Sequence, residues 1–259
     1  MKFTSNGTLV NTGTGADGAC SVASGTTNLN TGSCAGRATA DAINFSVTVD
    51  TTSGQNQVTL ASTPTGLSAG DEIIIINLMG TNAGTYETAS VTSITTNTLT
   101  LNKNLTNTYN GTTEKIMVQR IPNYTSVNIS SSATLTANSF TCASSRGGVI
   151  FFRTTGTVTV DGTVEGNALG YPGYGDANQA PAQQGGSYTN ACSVAYSTSR
   201  NNGGGGGGNA NAWDVAPGGA GGGGGGGYGA AGSNGGASSG GNAGGAGGTT
   251  YGDPILTSL

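Results

Sequence analysis

The chain has 259 residues, of which only 8% are charged, and a formal net charge of −4; it has no basic cluster to neutralise phosphates, which argues against a nucleic-acid partner. It contains no histidine, which excludes a Ser-His-Asp triad and deprives zinc of its commonest ligand. Thr, Ser, Asn and Gly take the places that charges usually fill, as expected of an extended β protein from a cell surface or secreted fibre.

Residues 1–40 are polar and Gly-rich, with Phe3, Leu9, Val10, Val22 and Leu29 as their main apolar side chains. Phe3 to Val10 reads as a short strand that could be lent to a neighbouring subunit, or as a tail. The first six residues lack the apolar run of a secretory signal, and no stretch approaches the length of a membrane span. The expectation is therefore a processed form or fragment of a surface protein. The four cysteines, Cys20, Cys34, Cys142 and Cys192, include no Cys-x-x-Cys pair. Disulfides Cys20–Cys34 and Cys142–Cys192 are the preferred pairing among three, with buried thiols as the alternative; disulfides imply an oxidising compartment.

Residues 41–125 hold a regular series of strand signals. Phe45 to Val49 alternates and ends near Ser53-Gly54; Gln57 to Leu60 follows, then the turn Pro64-Thr65-Gly66. Gly70 to Ile76 opens a run apolar on both faces, hence a fully buried central strand. Tyr86 to Ile94 and Thr96 to Leu101 form a hairpin about Thr95–Asn97, and Glu114 to Ile121 is a last strand stopped by Pro122. Six strands at this spacing predict a small antiparallel β barrel or sandwich.

Residues 126–170 change character. Val127 with Ile129, then Leu135, Val149 to Phe152 and Val158 to Val160 are short strand signals separated by Ser, Thr and Gly. Solenoid-like rungs suit them, each burying its apolar side against the next. Asp161-Gly162 is a tight-turn pair between two alternating runs.

Residues 171–259 include the glycine runs Gly203–Gly208 and Gly221–Gly227. An ordered form of such a tract is a bundle of three-per-turn glycine helices of polyglycine II type, whose backbones approach closely for want of Cβ atoms. A flexible linker is the alternative.

Several motifs occur in a fixed order: Gly70 to Ile76, Gly84-Thr85-Tyr86-Glu87, Asn97 to Leu101, Arg120 to Tyr124, Gly148 to Arg153 and Gly156 to Gly162, with Tyr251-Gly252-Asp253-Pro254 after the glycine tract. In this order they resemble the glycine-rich repeat region of large bacterial surface proteins, including those of the adventurous gliding motility type. The resemblance spans roughly residues 42–259 and implies a secreted or surface-anchored structural role, not a reaction. Those relatives continue past Tyr-Gly-Asp-Pro into another β rung. The glycine tract also resembles the polyglycine sandwiches at the tips of some phage tail-fibre adhesins.

Catalysis has little to work with. Asp71 and Glu72 are adjacent and point to opposite faces of a strand; Asp161, Glu165 and Arg153 are the one set similar to an acidic polysaccharide-cleaving groove. The expectation is no enzyme and no cofactor, with calcium at the loop carboxylates Asp161, Asp176, Asp214 or Asp253 as the one metal considered. Tyr171, Tyr174, Tyr188, Tyr196, Trp213, Tyr228 and Tyr251 are binding aromatics or plugs between glycine strands. Asn6, Asn44, Asn104, Asn110, Asn123 and Asn128 head glycosylation sequons.

These features together predict an extracellular, all-β structural protein, with itself as partner in a surface filament or layer. The alternative is an adhesin that binds a glycan or receptor through its glycine-rich loops and aromatics.

Overall fold

The computed structural model describes residues 2–3, 9–79, 84–141, 143–167, 169 and 236. Every described element is a β-strand. Strands β1 (Lys2–Phe3) and β2 (Leu9–Val10) pair antiparallel, Lys2 opposite Val10. The single strand expected over Phe3 to Val10 is thus two short ones.

Strands β3 (Gly18–Val22) and β4 (Gly25–Asn28) come next. They are followed by β5 (Asn44–Val47), β6 (Gln57–Thr59), β7 (Glu72–Met79), β8 (Tyr86–Thr95), β9 (Thr98–Leu101) and β10 (Lys115–Arg120). These last six form one sheet in the order β5-β10-β7-β8-β9-β6. A bridge between Val47 and Leu60 joins its two outer strands, so the sheet curls into a half-barrel. The curl encloses a core of Phe45, Val47, Val58, Leu60, Ile73, Ile75, Val91, Leu99, Leu101, Leu105, Tyr109, Ile116 and Val118. Burying each large aliphatic side chain stabilises the fold by about 1.5–3 kcal/mol. Strand β7 is the central strand that its apolar run predicts: Ile73, Ile74 and Ile75 are all buried although they alternate in face.

After Pro122 the pairing becomes parallel. Strand β11 (Asn123–Ile129) lies between β3 on one side and β13 (Arg153–Thr154) with β14 (Val158–Val160) on the other. Strand β12 (Ala133–Thr136) lies likewise between β4 and β15 (Thr163–Val164). Three levels of chain therefore stack in register, and the whole antiparallel sheet is inserted between the first level and the second. The level formed by β3 and β4 falls in the segment that reads from sequence as a polar disulfide loop.

Side chains in matching positions of the levels share an interior. Cys20, Val22, Leu29, Ala42, Tyr124, Val127, Ile129, Ala133 and Leu135 make this second core. Cys20 and Cys34 are disulfide-bonded, as the sequence predicts. The chain that follows β4 folds back beside β3: Ser21 N donates to Cys34 O, and Ala42 N to Leu29 O. Val149 to Phe152, the thickest apolar cluster here and an expected strand, is not one. Pairing on that side of β11 begins only at Arg153, and Ile150 and Phe152 instead pack sideways against the second core. At the turn between β14 and β15, a Cβ on Gly162 would collide with the carbonyl oxygens of Ser130 and Ala133 in the level beneath, so only glycine fits.

Candidate functional site

The sheet and the stack meet at a cluster of charges. Arg120, at the end of β10, donates from Nη2 to Asp17 Oδ1 and from Nε to Asp71 Oδ1, both at 2.6 Å, and from Nη1 to the Asp41 carbonyl at 3.0 Å. Burial disfavours its charge, but the hydrogen bond it donates to Asp17 and the charge of Asp71 outweigh that and hold its pKa above the usual guanidinium value. Arg37 approaches the same two carboxylates at 3.6 and 3.9 Å. On the neighbouring face Arg153 Nε reaches both oxygens of Glu72 at 2.9 Å. Asn123 adds a bond to Glu72 at 3.2 Å and takes Asp17 Oδ2 on its backbone N–H at 2.7 Å.

Asp71, just ahead of β7, and Glu72, its first residue, each have their own arginine. With Asp17, Asp71 and Glu72 all held by guanidinium groups, the cluster works as a joint and offers no free acid–base pair. The set of Arg153 with Asp161 and Glu165 does not assemble: Arg153 is taken by Glu72, and Asp161 is exposed at a turn. No group of three or more metal-ligating side chains occurs among the described residues.

A second concave region has a different chemistry. It is a groove of about 590 Å³ where the 30–31 loop, the start of β5, Thr65 and residues 138–147 converge. Asn30, Asn44, Asn138, Ser139, Thr141, Ser144 and Arg146 supply its polar groups, over a floor that includes Ile43 and Phe45. None of its described lining residues is a carboxylate. Its walls are preorganised. Asn30 donates to the Ala42 carbonyl at 2.6 Å and accepts the Asn138 N–H at 2.8 Å, and Asn28 donates to Asn138 at 2.7 Å.

The 141–146 turn closes through the Thr141–Arg146 bridge, with the hydroxyls of Thr141 and Ser144 hydrogen-bonded to each other. Gly147 has φ +99°, and a Cβ there would strike the Ser139 carbonyl. This backbone reversal sets Arg146 beside β5, where Nη1 donates to the Asn44 carbonyl at 3.1 Å. Arg37, Arg120 and Arg153 all have carboxylate partners; Arg146 has none among the described residues. It is exposed. Such a groove matches polyhydroxylated molecules in its amides and hydroxyls, and a carboxylate in its guanidinium.

The sites expected from the sequence are scattered. The candidate aromatics Tyr171, Tyr174, Tyr188, Tyr196, Trp213, Tyr228 and Tyr251, the carboxylates Asp176, Asp214 and Asp253, and Cys142, Cys192 and Asn6 lie outside the described residues. Asn104 and Asn128 are exposed, Asn110 is half-buried, and Asn44 lines the groove. Asn123 is buried and its amide is committed to Glu72 and the Ile121 carbonyl. Neither Arg146 nor Asn138 stood out in the sequence. The signal that could have found Arg146 is the Arg-Gly-Gly tripeptide in a chain with only eight basic residues.

No family model matches this chain. No curated protein matches it significantly. Among solved structures it is similar to the tailspike protein gp49 of Pseudomonas phage LKA1, at 24% identity over 38% of this chain and 17% of that one, with a TM-score of 0.29. It is also similar to the tailspike gp61 of Pseudomonas phage phi297, at 21% identity over 37% of this chain and 16% of that one, TM-score 0.28. A third is the Gp54 tailspike of Acinetobacter baumannii bacteriophage AP22, determined in complex with A. baumannii capsular saccharide, at 14% identity over 47% of this chain and 21% of that one, TM-score 0.30. The matches span about a fifth or less of the length of each tailspike.

Proposed function

We propose that this chain is an extracellular recognition protein of the adhesin kind, binding an acidic glycan in the groove beside Arg146. The observation that carries this reading is an arginine with no carboxylate partner among the described residues, set beside amide and hydroxyl groups and the apolar Ile43 and Phe45. A uronate sugar presents a carboxylate for the guanidinium fork and hydroxyls for the Asn, Ser and Thr groups. The volume lies in the range of small-ligand clefts, enough for one or two sugar rings. The Cys20–Cys34 disulfide and the scarcity of charge support a location outside the cytosol. The three stacked levels are the start of a β-solenoid, a rigid mount for a side groove.

The test is retention of the full chain on surfaces coated with polyuronate, with neutral glucan as the control. The polyuronate surface should retain it, Arg146→Ala should lower affinity by about tenfold or more, equivalent to about 1.4 kcal/mol, and the neutral glucan should bind weakly. Equal retention of native chain and variant would reject the groove.

Self-assembly into a filament or layer is a second reading. One observation favours it: Val158, Val160 and Val164 at the last level of the stack stand 42–45% exposed.

A further inference from the structure

Asn30, Asn44 and Asn138 line the groove beside Arg146. An amide side chain offers an oxygen at one end and N–H groups at the other, so the end that faces a ligand decides what the groove accepts. For each of the three, that choice traces back to a backbone group, because a backbone N–H only donates and a backbone carbonyl only accepts.

Asn30 is fixed at both ends: Nδ2 donates to the Ala42 carbonyl at 2.6 Å, and Oδ1 accepts the Asn138 N–H at 2.8 Å. Asn138 is set through Asn28. The Asn30 N–H donates to Asn28 Oδ1 at 2.9 Å, which turns Asn28 Nδ2 to Asn138 Oδ1 at 2.7 Å. The NH2 group of Asn138 is then its end without a partner among the described residues. Asn44 is set through Gln119. The two are opposite each other on β5 and β10, so their side chains share a face. Gln119 is fully buried, and its Nε2 donates to the Val149 carbonyl at 3.4 Å. That leaves its Oε1 3.2 Å from Asn30 Nδ2 and 3.5 Å from Asn44 Nδ2. The opposite orientation of Asn44 would set its Oδ1 against Gln119 Oε1, two acceptors with no proton between them. Oδ1 is therefore the end of Asn44 without a partner among the described residues.

We infer that Gln119 is a positioning residue that fixes the polarity of the groove, and that this polarity selects uronates with an unsubstituted ring hydroxyl. The inference rests on the acidic-glycan reading and narrows its substrate class. Arg146 and the Asn138 NH2 group donate, and the carboxylate and ring oxygens of a uronate accept. Asn44 Oδ1 accepts, so the hydroxyl that meets it has to keep its proton. O-acetylation removes that proton and leaves Oδ1 covered and unpaired, which costs about five- to a hundredfold in affinity. Gln119, buried behind Asn44, acts on the ligand only through the orientation it gives that amide.

Two measurements on the full chain test this. Without ligand or substitution, the amide groups of Asn30 and Asn44 aim at one oxygen, so nuclear Overhauser spectra should show a cross-peak between their side-chain amide protons. Its absence would mean that Gln119 does not orient Asn44. Titrations with an oligouronate, and with the same oligomer after O-acetylation, then read the ligand class. The native chain should prefer the unacetylated form by about tenfold. Gln119→Met frees the Asn44 amide to turn, and Asn44→Ser replaces it with a hydroxyl that donates as readily as it accepts. Both variants should bring the two affinities close together. A merely structural role for Gln119 would weaken both forms alike and keep their ratio. Equal affinity of the native chain for both forms, or an unchanged ratio in both variants, would overturn the inference. Binding of neither form by the native chain would reject the acidic-glycan reading and the uronate class with it, while the cross-peak still decides the role of Gln119.

Discussion

Tyr124 donates its hydroxyl to Oδ2 of Asp41 at 2.9 Å, and neither residue is accessible to solvent. Tyr124 begins the second level of the stack, next to the Phe152 ring at a centroid distance of 5.8 Å. Asp41 lies seven residues beyond the disulfide loop, whose Cys34 N–H also reaches its Oδ2 at 2.9 Å. A single carboxylate thus ties the cap of the stack to its middle. Burial, and then the charge of Asp41, push the Tyr124 hydroxyl well above the ordinary phenol range. Burial and the charge of Glu87 do the same to Tyr109 in the half-barrel core.

Alkaline unfolding follows from these two tyrosines. A pKa raised in the folded state means that the stabilisation is complete below the unfolded value near 10 and is lost as pH rises through that value towards the folded one. Each tyrosine should remove about 1.4 kcal/mol of stability for every pH unit above about 10, until its folded pKa is reached. Urea midpoints measured from pH 8 to 11 should fall steeply above 10, and Tyr109→Phe should make the fall shallower. A flat profile would contradict the burial of the hydroxyls.

Arg120 is the keystone of the joint between sheet and stack. Replacing it with Ala leaves Asp17 and Asp71 buried with only the more distant Arg37, and should cost about 3–5 kcal/mol. Arg120→Met keeps the stem and should cost less than Arg120→Ala. Thermal melts of both variants measure this, and a change under 1 kcal/mol in each would show that the cluster is well solvated.

The disulfide has a sequence separation of 14. Closing a loop of this size stabilises a fold by about 3 kcal/mol in the chain-entropy account. C20S/C34S should lose about that much in denaturant melts, with hydrogen exchange rising first at Ser21 and Ala42, whose amides bond within the cap. Loss spread evenly over the half-barrel would mean that the loop is not a local cap.

The half-barrel was legible because its code is local. Phe45, Val47, Val58, Leu60, Leu99 and Leu101 alternate with polar residues in short runs, and Gly54 and Gly66 mark the reversals. The first level of the stack was not, because Cys20 and Val22 are its only large interior side chains on β3 and their partners Val127 and Ile129 lie more than a hundred residues away. The same distance hid the joint: Asp17 and Arg120 are 103 residues apart. Val149 to Phe152 misled in the other direction, since an apolar run forms a strand only where a free edge is in reach. The groove was illegible because four separate segments build it, none with a motif of its own. Its one local sign is Gly147, whose positive φ turns Arg146 towards β5.

The glycan reading is tested most directly by following backbone amide shifts of the isotope-labelled full chain during titration with a short oligouronate. The account predicts saturable shifts concentrated at Asn30, Asn44, Asn138, Ser139, Thr141, Arg146 and Gly147, reduced about tenfold in apparent affinity by Arg146→Ala. Shifts that fall elsewhere, or none at millimolar ligand, would contradict it.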